Sequence, residues 1–503
     1  MSMYHPLLTA DQMRRLERGR FAAGQSSLDA MEAAGQAVAA EVLRRWPDAR
    51  QAVVLAGPGN NGGDGYVVAR HLLAAGWTVT VGAWGDPDAL RGDAQMMRQR
   101  WSGAVAPLAE ALAAIDGATI VVDALFGIGF SRPVEGALAG RIREACDRAG
   151  GVIAVDVPSG VDADTGSVVS DMIQADATVT FGARKPCHLL EPGRTRCGAV
   201  VLAPIDLAPE AAELAQLGVA TWAVGTPRLP RPGPDDHKYS RGHVWVASGG
   251  PSATGAARLA ARAALRVGAG LVSIASPPSA VAINAAHLTA IMVRRAATPE
   301  AFAACLADPR ASGMVIGPGF GIGERCRETV LALLATGKPL VLDADALTSF
   351  EDDPAVLFRA IRGAVVMTPH EGEFRRLFPG IDASAPRLER AREAARTSGA
   401  VVLLKGPDTV VATPEGEAFI NGHASPELAT AGAGDVLAGT ILGLIAQERQ
   451  LGLSVAQAAA VAAWIHGEAG LRLGPGLIAE DLPEAYPGIL KAIAVPALRG
   501  GRQ

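Results

Sequence analysis

The chain has 503 residues, which is more than one hydrophobic core usually organises, so its length predicts two domains. The net charge of −5 and the lack of a dense basic tract argue against nucleic acid as a partner. No apolar run approaches the ~20 residues that span a bilayer, which argues against a membrane partner, and the first residues do not read as a secretion signal. Five cysteines without CxxC spacing argue against a disulfide framework or a structural zinc site, and a reducing, cytoplasmic location is predicted.

The hydrophobic pattern predicts an α/β fold in both halves of the chain. In the first half, apolar runs alternate with helical segments at 52–57, 77–84, 119–127, 151–160 and 177–183. In the second half the same rhythm begins at His243, and long alanine-rich helices are predicted at 253–267 and 454–471. Ligands of such folds bind at the carboxyl ends of parallel strands, where nearly all of the unusual motifs of this chain fall.

A proline-rich segment separates the two halves. Its prolines, Pro227, Pro230, Pro232 and Pro234, cannot be accommodated inside a helix or a central strand. We therefore predict a first domain over residues 1–225, a linker over 226–240 and a second domain over 241–503. Their motifs differ, which indicates two different catalytic modules and not a duplication.

The first half contains a glycine- and asparagine-rich segment and three polar strand ends. The segment GNNGGDG is predicted to be a turn that can hold a phosphate, with Asp64 opening a helix. Asn61, Asp123 and Ser159 offer oxygen ligands of low total charge, which favours potassium over magnesium, although each strand-end Asp is equally well read as a cap or a turn. Lys185 ends another strand, as a partner of Asp156 or as a solvated surface lysine.

These motifs resemble the YjeF N-terminal domain, the NAD(P)H-hydrate epimerase family, over about 220 residues. The resemblance implies a Rossmann-like, three-layer domain that interconverts the R and S epimers of hydrated NADH and NADPH beside a potassium ion. It implies potassium ligands at Asn61, Asp123 and Ser159. Its strand-end position makes Asp156 the predicted catalytic carboxylate that moves a proton at the ring, with Lys185 as its partner. The implied substrate contacts are Asn60, Asn61, Gly62, Gly63, Asp64, Gly127, Ile128, Gly129, Phe130, Ser131, Arg132, Pro133 and Asp156.

The second half ends its motif series with GAGD, in which a glycine turn runs into an apolar helix. The backbone amides around Gly432 and Gly434 can bind an anion, and Asp435 in the first turn can act as a base. KGPDT is either a nucleotide loop or an ordinary hairpin turn, and His370 is either a ligand or a strand-end hydrogen bonder. Asp343 and Asp345 either assist magnesium or cap a turn.

The order of GPGFG, TPHEGEF, KGPDT and GAGD resembles the ribokinase-like superfamily and, within it, the NAD(P)H-hydrate dehydratase family, over about residues 235–495. The resemblance implies that Asp435 is catalytic, that magnesium takes part, and that ADP or ATP is the co-substrate, with ADP favoured. The hydrate contacts that it implies are Ala257, Gly319, His370 and Asp435. The nucleotide contacts that it implies are Lys405, Gly406, Pro407, Asp408, Thr409 and Gly434.

Together the two resemblances imply a bifunctional enzyme that repairs hydrated NADH and NADPH. One alternative is a kinase of a vitamin precursor, such as a hydroxymethylpyrimidine or hydroxyethylthiazole, which leaves the N-terminal motifs unexplained. Another is a binding protein with degraded sites, against which stand Asp156 and Asp435. Broad aliphatic helices favour a homo-oligomer.

Overall fold

The computed structural model describes residues 3–130 and 132–496. Residues Pro6–Thr221 form one compact unit, and the remaining described residues form the other. Both are α/β, as predicted. Among the described residues, no helix has the length and apolar character needed to cross a membrane.

The unit of Pro6–Thr221 is built on a seven-stranded parallel sheet with the order β4-β3-β2-β5-β6-β7-β8. Its strands are β2 (Gln51–Ala56), β3 (Thr78–Ala83), β4 (Ala104–Pro107), β5 (Thr119–Ala124), β6 (Gly151–Val155), β7 (Ala177–Phe181) and β8 (Ala199–Ala203). The strand order reverses direction between β2 and β5, so the crevice at their carboxyl ends is the expected ligand site of this sheet.

Helices cover both faces of this sheet. They are α1 (Ala10–Ala22), α2 (Ser27–Arg45), α3 (Asn60–Ala74), α4 (Gly92–Arg100), α5 (Leu108–Ala113), α6 (Gly136–Arg148), α7 (Gly193–Cys197) and α8 (Ala211–Gln216). Val54 of β2 packs in a core with α2, α3 and α4, whereas Val53 and Leu55 pack in a second core with α5 and α6. Because successive side chains of a strand point to opposite faces, this alternation gives the three predicted layers.

The other unit contains an eleven-stranded sheet with the order β1-β9-β19-β18-β17-β16-β15-β14-β11-β12-β13. Its strands are β1 (Tyr4–Pro6), β9 (Thr221–Val224), β11 (His243–Ala247), β12 (Leu271–Ser276), β13 (Met292–Arg295), β14 (Ala311–Ile316), β15 (Leu340–Leu342), β16 (Val365–Met367), β17 (Val401–Leu404), β18 (Thr409–Ala412) and β19 (Ala418–Asn421). Neighbours from β13 to β17 are parallel, and β17, β18 and β19 pair antiparallel. The order reverses between β11 and β14, beside GPSATG and GPGFG.

The helices of this unit are α9 (Thr254–Val267), α10 (Val281–Ala286), α11 (Pro299–Ala303), α12 (Glu324–Leu334), α13 (Asp345–Thr348), α14 (Pro354–Ala360), α15 (Glu371–Leu377), α16 (Arg387–Ser398), α17 (Ala433–Ile445), α18 (Glu448–Leu451), α19 (Val455–Leu473) and α20 (Leu482–Ile493). The long helices α9 and α19 lie close to where the sequence predicts them. Helix α17 packs tightly on α9, since a Cβ at Gly439 would lie 2.0 Å from the carbonyl oxygen of Ala260. Close packing of these two helices fixes the glycine turn that precedes α17.

Part of the predicted linker is ordered structure. Strand β10 (Leu229–Pro230) pairs in parallel with β20 (Ala494–Val495). Strand β9 lies inside the predicted first domain, yet it joins the sheet of the C-terminal unit, as does β1 at the start of the chain. Local hydrophobic pattern does not reveal such pairing, because the partners are distant in sequence.

Candidate active sites

The glycine- and asparagine-rich segment forms the start of α3, and the prediction that Asp64 opens this helix is wrong. Helix α3 begins at Asn60 after the N-cap residue Gly59, so Asp64 is its fifth residue. A Cβ at Gly62 would lie 2.0 Å from the carbonyl oxygen of Gly57, and one at Gly63 would lie 2.8 Å from Met31 Sδ. These glycines therefore serve close helix packing.

Asp123 and Ser159 form one buried cluster at the ends of β5 and β6. The Ser159 hydroxyl donates to Asp123 Oδ1 at 2.6 Å, and the Ser159 amide donates to Asp123 Oδ2 at 2.7 Å. Asn61 borders Gly127, where a Cβ would lie 3.3 Å from Asn61 Oδ1, and the buried Asn61 Nδ2 has no partner among the described residues. Burial raises the pKa of Asp123 to about 6 despite the bonds from Ser159, which indicates a carboxylate that no described cation compensates.

Asp156 and Lys185 form a buried ion pair beside this cluster. Lys185 Nζ donates to Asp156 Oδ1 at 2.5 Å, to Thr180 Oγ1 at 2.9 Å and to the carbonyl oxygen of Phe181 at 3.2 Å. Lys185 is 1% exposed, so it is not a solvated surface lysine. Asp156 has φ of +67°, a strained conformation for a residue with a Cβ, which is typical of a functional position.

Two further groups at this site, Glu17 and His188, were not predicted from the sequence, and Asp64, an implied substrate contact, lies with them. Burial, followed by the negative charges of Asp156 and Glu17, raises the pKa of Asp64 well above its usual range. Burial and Asp156 also raise the pKa of Glu17, which comes from α1. His188 accepts a hydrogen bond from the Lys185 amide on Nδ1, and its Nε2 donates to the carbonyl oxygen of Asp156 at 3.0 Å. Helix α1 is distant in sequence from the motifs, so only the fold reveals Glu17.

The loop after β5 forms an aromatic wall next to the strand ends. Phe130 lies 5.0 Å from Phe126 between ring centroids, and Arg132 and Pro133 line a cavity of about 430 Å³ with these rings. Arg14 donates to the carbonyl oxygen of Ile128 at 3.4 Å, and a Cβ at Gly129 would lie 3.4 Å from the Arg14 guanidinium. Ser131, also predicted to contact substrate, lies outside the described residues.

Cys187, His188 and Cys197 lie near this site, with their potential ligand atoms within 4.8 Å of one another. Both nitrogens of His188 are already engaged with backbone groups, as described above. Burial raises the pKa of Cys187 well above its usual range, and burial lowers the pKa of His188 to about 3. Cys187 and His188 are thus neutral members of a buried cluster; all five cysteines of the chain are buried and unpaired.

In the C-terminal unit, the GAGD turn and the KGPDT segment meet at one ion pair. Lys405 Nζ donates to Asp343 Oδ1 at 2.9 Å, and Thr368 donates to the same oxygen at 2.8 Å. A Cβ at Gly434 would lie 3.6 Å from Lys405 Nζ and 3.9 Å from Asp343 Oδ2. Gly432, the N-cap residue of α17, has φ of +89°, which a residue with a Cβ rarely adopts.

Asp435 lies in the first turn of α17, as predicted from the sequence. Its side chain is half-buried. Burial, and then the negative charge of Asp343, raise its pKa to about 6, while Lys405 opposes that shift. A carboxylate with this pKa exchanges protons readily near neutral pH, which suits a general base.

Asp343 is thus an ion-pair partner at the site, whereas Asp345 supports a turn. Asp345 begins α13, and its Oδ2 accepts from the amide of Gly321 at 2.8 Å within the GPGFG segment. That bond ties the end of β14 to the end of β15. Gly319 in the same turn has φ of +60°, and a Cβ there would lie 3.3 Å from Ala256 Cβ.

His370 is the N-cap residue of α15. Its Nδ1 accepts from the amides of Gly372 and Glu373 at 3.0 and 3.2 Å, and Glu373 bonds back to the His370 amide. The proton must then lie on Nε2 of the exposed imidazole face, where it can donate to a ligand. Ala257, by contrast, is fully buried in the core, so only its backbone is available to a substrate.

KGPDT is the hairpin turn between the antiparallel strands β17 and β18. Thr409 closes the turn by donating to the carbonyl oxygen of Gly406 at 2.8 Å. Arg387 of α16 donates to the carbonyl oxygen of Lys405 at 3.1 Å and lies 3.1 Å from Asp408 Oδ1. The sequence did not predict Arg387 at the site, because α16 is separated from the turn by β17.

His466 of α19 is a second residue that the sequence did not predict. It is 7% exposed, and its buried Nδ1 has no hydrogen-bond partner among the described residues. Burial, and then the positive charge of Lys405, lower its pKa to about 4, so the ring is neutral at physiological pH.

Comparisons with known proteins agree with this two-part arrangement. The family profile described as YjeF-related protein N-terminus matches residues 27–187, and that described as NAD(P)H-hydrate dehydratase matches residues 244–480. The bifunctional NAD(P)H-hydrate repair enzyme of Moorella thermoacetica is 38% identical over 96% of both chains, and that of Salinibacter ruber is 36% identical over 96% of both.

Among solved structures, the ADP/ATP-dependent NAD(P)H-hydrate dehydratase of Bacillus subtilis, co-crystallised with ATP and Mg²⁺, is 28% identical. The match covers 53% of this chain and 95% of that one, with a TM-score of 0.47. The full-length relatives carry more weight, because they match both units at once. The chain therefore belongs to the family of bifunctional NAD(P)H-hydrate repair enzymes.

Proposed function

We propose that the chain repairs hydrated NADH and NADPH in two reactions, each carried out by its own unit. The unit of Pro6–Thr221 interconverts the R and S hydrates, and the C-terminal unit dehydrates the S hydrate with an adenine nucleotide. The observation that carries the proposal is the convergence of the GAGD and KGPDT turns on the pair Lys405–Asp343, next to Asp435. The five unpaired cysteines support a reducing, cytoplasmic setting.

Asp156 is proposed to move the proton at the hydroxyl-bearing part of the hydrate ring during epimerisation. Its Oδ1 is held by Lys185 and Thr180, which leaves Oδ2 to face the substrate. Lys185 fixes the direction of the carboxylate, because all three ammonium hydrogens are directed at protein oxygens. Asp64, whose pKa burial raises well above its usual range, is the proposed proton donor to the substrate.

Asn61, Asp123 and Ser159 are proposed to hold a potassium ion. The buried Asp123 carboxylate has no cation beside it among the described residues, and Asn61 would offer Oδ1 as a neutral ligand. One carboxylate with neutral oxygens suits a monovalent ion better than a divalent one. When bound, the ion would supply positive charge that favours an anionic substrate group at this edge of the sheet.

Asp435 is proposed to be the base of the dehydratase reaction. Hydroxide leaves the hydrate ring poorly, whereas phosphate leaves readily, so transfer of a phosphoryl group to the ring hydroxyl couples nucleotide cleavage to dehydration. Asp435 takes the hydroxyl proton, while the amides of the Gly432–Gly434 turn stabilise charge on the phosphoryl group. Lys405 is placed to bind phosphate oxygens, and Asp343 Oδ2 is available to a magnesium ion that would neutralise nucleotide charge.

The test is recovery of NADH absorbance from a purified mixture of both hydrate epimers. Complete recovery with a nucleotide, and recovery limited to the S form when Asp156 is replaced, are expected. ADP and ATP are supplied separately, and we expect ADP to be the better co-substrate. Failure to recover any absorbance with either nucleotide and magnesium would refute the proposal.

A further inference from the structure

A groove of about 720 Å³ runs along α9 in the C-terminal unit. Arg258, Arg262 and Arg266 line it; they are spaced four residues apart and so lie on one face of the helix. The opposite wall is largely apolar and includes Leu288 and Leu490. A row of guanidinium groups facing an apolar wall suits a ligand with both phosphates and an aromatic base.

The arginines of the groove differ in their partners. Arg262 and Arg266 each bind one oxygen of Glu484 at 2.5 Å. Arg258 forms no ion pair with a described residue, and its buried Nε lacks a hydrogen-bond partner there. Glu480 and Glu484 are the two carboxylates beside the three arginines, so the groove keeps an excess positive charge. That excess charge lies at Arg258.

The Arg258 end of the groove adjoins the proposed dehydratase site. A Cβ at Gly432 would lie 2.8 Å from Leu259 Cδ1, so the glycine turn before Asp435 packs on a residue that lines the groove. A Cβ at Gly319, a predicted hydrate contact, would lie 3.3 Å from the Cβ of Ala256, one residue beyond Gly255 of the groove. A ligand whose ring reaches Asp435 can therefore extend into the groove.

We propose that this groove binds the adenosine diphosphate half of the hydrated dinucleotide, with the pyrophosphate at Arg258 and the base against the apolar wall. The inference rests on the proposed dehydratase function. It assigns the groove to the hydrate and not to the nucleotide co-substrate, because the proposed nucleotide turn lies at Gly434, beside Lys405, whereas the groove borders Gly432. Arg258 would thus determine affinity for dinucleotide hydrates.

The test compares Arg258→Ala with the parent on three substrates: the S hydrates of NADH and NADPH, and the hydrate of reduced nicotinamide riboside, which lacks the whole adenosine diphosphate half. Loss of a charge-assisted contact to phosphate should raise KM for both dinucleotide hydrates about tenfold or more, with kcat retained. KM for ADP and activity on the riboside hydrate should stay within twofold of the parent. Arg258→Lys should recover part of the affinity, and Arg359→Ala, at an exposed arginine of α14, is the matched control.

The inference is overturned if Arg258→Ala leaves KM for the dinucleotide hydrates unchanged, or if KM for ADP rises equally. A change in oligomeric state without a change in KM would overturn it in favour of a contact between copies of the chain. An unchanged melting temperature and unchanged epimerase activity show that the variant is folded. The proposed function is judged separately, since it fails only if the parent itself dehydrates none of the hydrates.

Discussion

Lys405 Nζ lies 2.9 Å from Asp343 Oδ1, and this ion pair borders the backbone of Gly434, the residue directly before Asp435. Burial and the two carboxylates of Asp343 and Glu373 have opposite effects on Lys405, and on balance its pKa is raised. The ammonium therefore remains charged at all physiological pH values. A permanent cation beside a carboxylate with a pKa of about 6 allows one group to bind phosphate while the other exchanges a proton.

Replacement of Asp435 by Asn should lower dehydration of the S hydrate ~100-fold or more, because the amide cannot accept the hydroxyl proton. Epimerisation should continue at the parental rate, since the variant leaves the other unit unchanged. Both rates are measured on the full chain, the first by NADH absorbance and the second by chromatographic separation of the epimers. Parental dehydration by this variant would exclude Asp435 as the base.

The same role predicts the pH profile of the parent. The pKa of Asp435 is raised by burial to about 6, and the base must be deprotonated, so dehydration should be constant above about pH 7 and fall as pH drops through 6. Lys405→Met removes the charge that opposes this shift, so the acidic limb of the profile should move to higher pH. If dehydration by the parent fell only as the pH dropped through about 4, the assignment of Asp435 as the base would be contradicted.

The sequence predicted the sites to the extent that their residues belong to glycine motifs or strand ends. Asp435, Asp123 and Ser159 lie as expected, because turn and cap chemistry is local in sequence. Glu17 and Arg387 were missed because each comes from a helix that only the tertiary fold brings to the site. The start of α3 was misplaced because glycines that indicate a turn are used here for close packing inside a helix.

The domain boundary was hard to predict for a related reason. Strands β1 and β9 join the sheet of the C-terminal unit, and the other strands of that sheet lie two hundred or more residues after β1. Pairing over that distance leaves no local pattern in the sequence. The prolines of the predicted linker are real interruptions, yet Pro230 still fits at the end of the short strand β10. Composition therefore indicates only the region in which the two halves meet, and the bounds at 225 and 241 stay a prediction.

Replacement of Asp156 by Asn should abolish epimer exchange, with a loss of ~100-fold or more. The single variant leaves the buried ammonium of Lys185 without its carboxylate, so it should also unfold at a lower temperature. The double variant Asp156→Asn/Lys185→Met should regain stability without regaining exchange. Asp171→Asn, which alters an exposed carboxylate of the same unit, should keep full activity; exchange by either Asp156 variant at the parental rate would refute the role of Asp156.

Potassium should stabilise the chain more at neutral than at acidic pH. Burial raises the pKa of Asp123 to about 6, so the folded state binds a proton that the unfolded state releases nearer pH 4. The contribution of Asp123 to the free energy of unfolding is therefore greatest below pH 4. It declines as the pH rises through 6, by an amount on the order of 2–3 kcal/mol. A bound cation offsets that loss, so the melting temperature in potassium should exceed that in tetramethylammonium at pH 7.5 and converge with it at pH 4.5. Asp123→Asn should abolish the difference, and an equal effect of potassium at both pH values would contradict the site.

Arg387→Met should weaken nucleotide binding while leaving the chemistry intact. Arg387 holds the carbonyl of Lys405 and the carboxylate of Asp408, so its loss frees the KGPDT turn and should raise KM for the nucleotide about tenfold. The value of kcat and KM for the hydrate should change less than twofold. Arg387→Lys should not restore affinity, because an ammonium cannot span both partners; Arg396→Met on the same helix is the control. A fall in kcat at unchanged nucleotide KM would exclude this positioning role.

Two C-terminal fragments that begin at different positions of the chain test which strands belong to the C-terminal unit. A fragment beginning at Ala220 keeps β9, next to β19, and keeps β10, which pairs with β20; a fragment beginning at Gly233 lacks both. The shorter fragment exposes the backbone edge of β19 and should melt about 5–10 °C lower, because a few kcal/mol of strand pairing and packing are lost. Both lack β1, so the comparison isolates residues 220–232.

The longer fragment should dehydrate only the S hydrate and should require a nucleotide with magnesium, since the Asp156–Lys185 pair is absent from it. Equal melting temperatures would show that β9 and β10 contribute nothing to the unit, and equal consumption of both epimers would refute the division of labour between the two units.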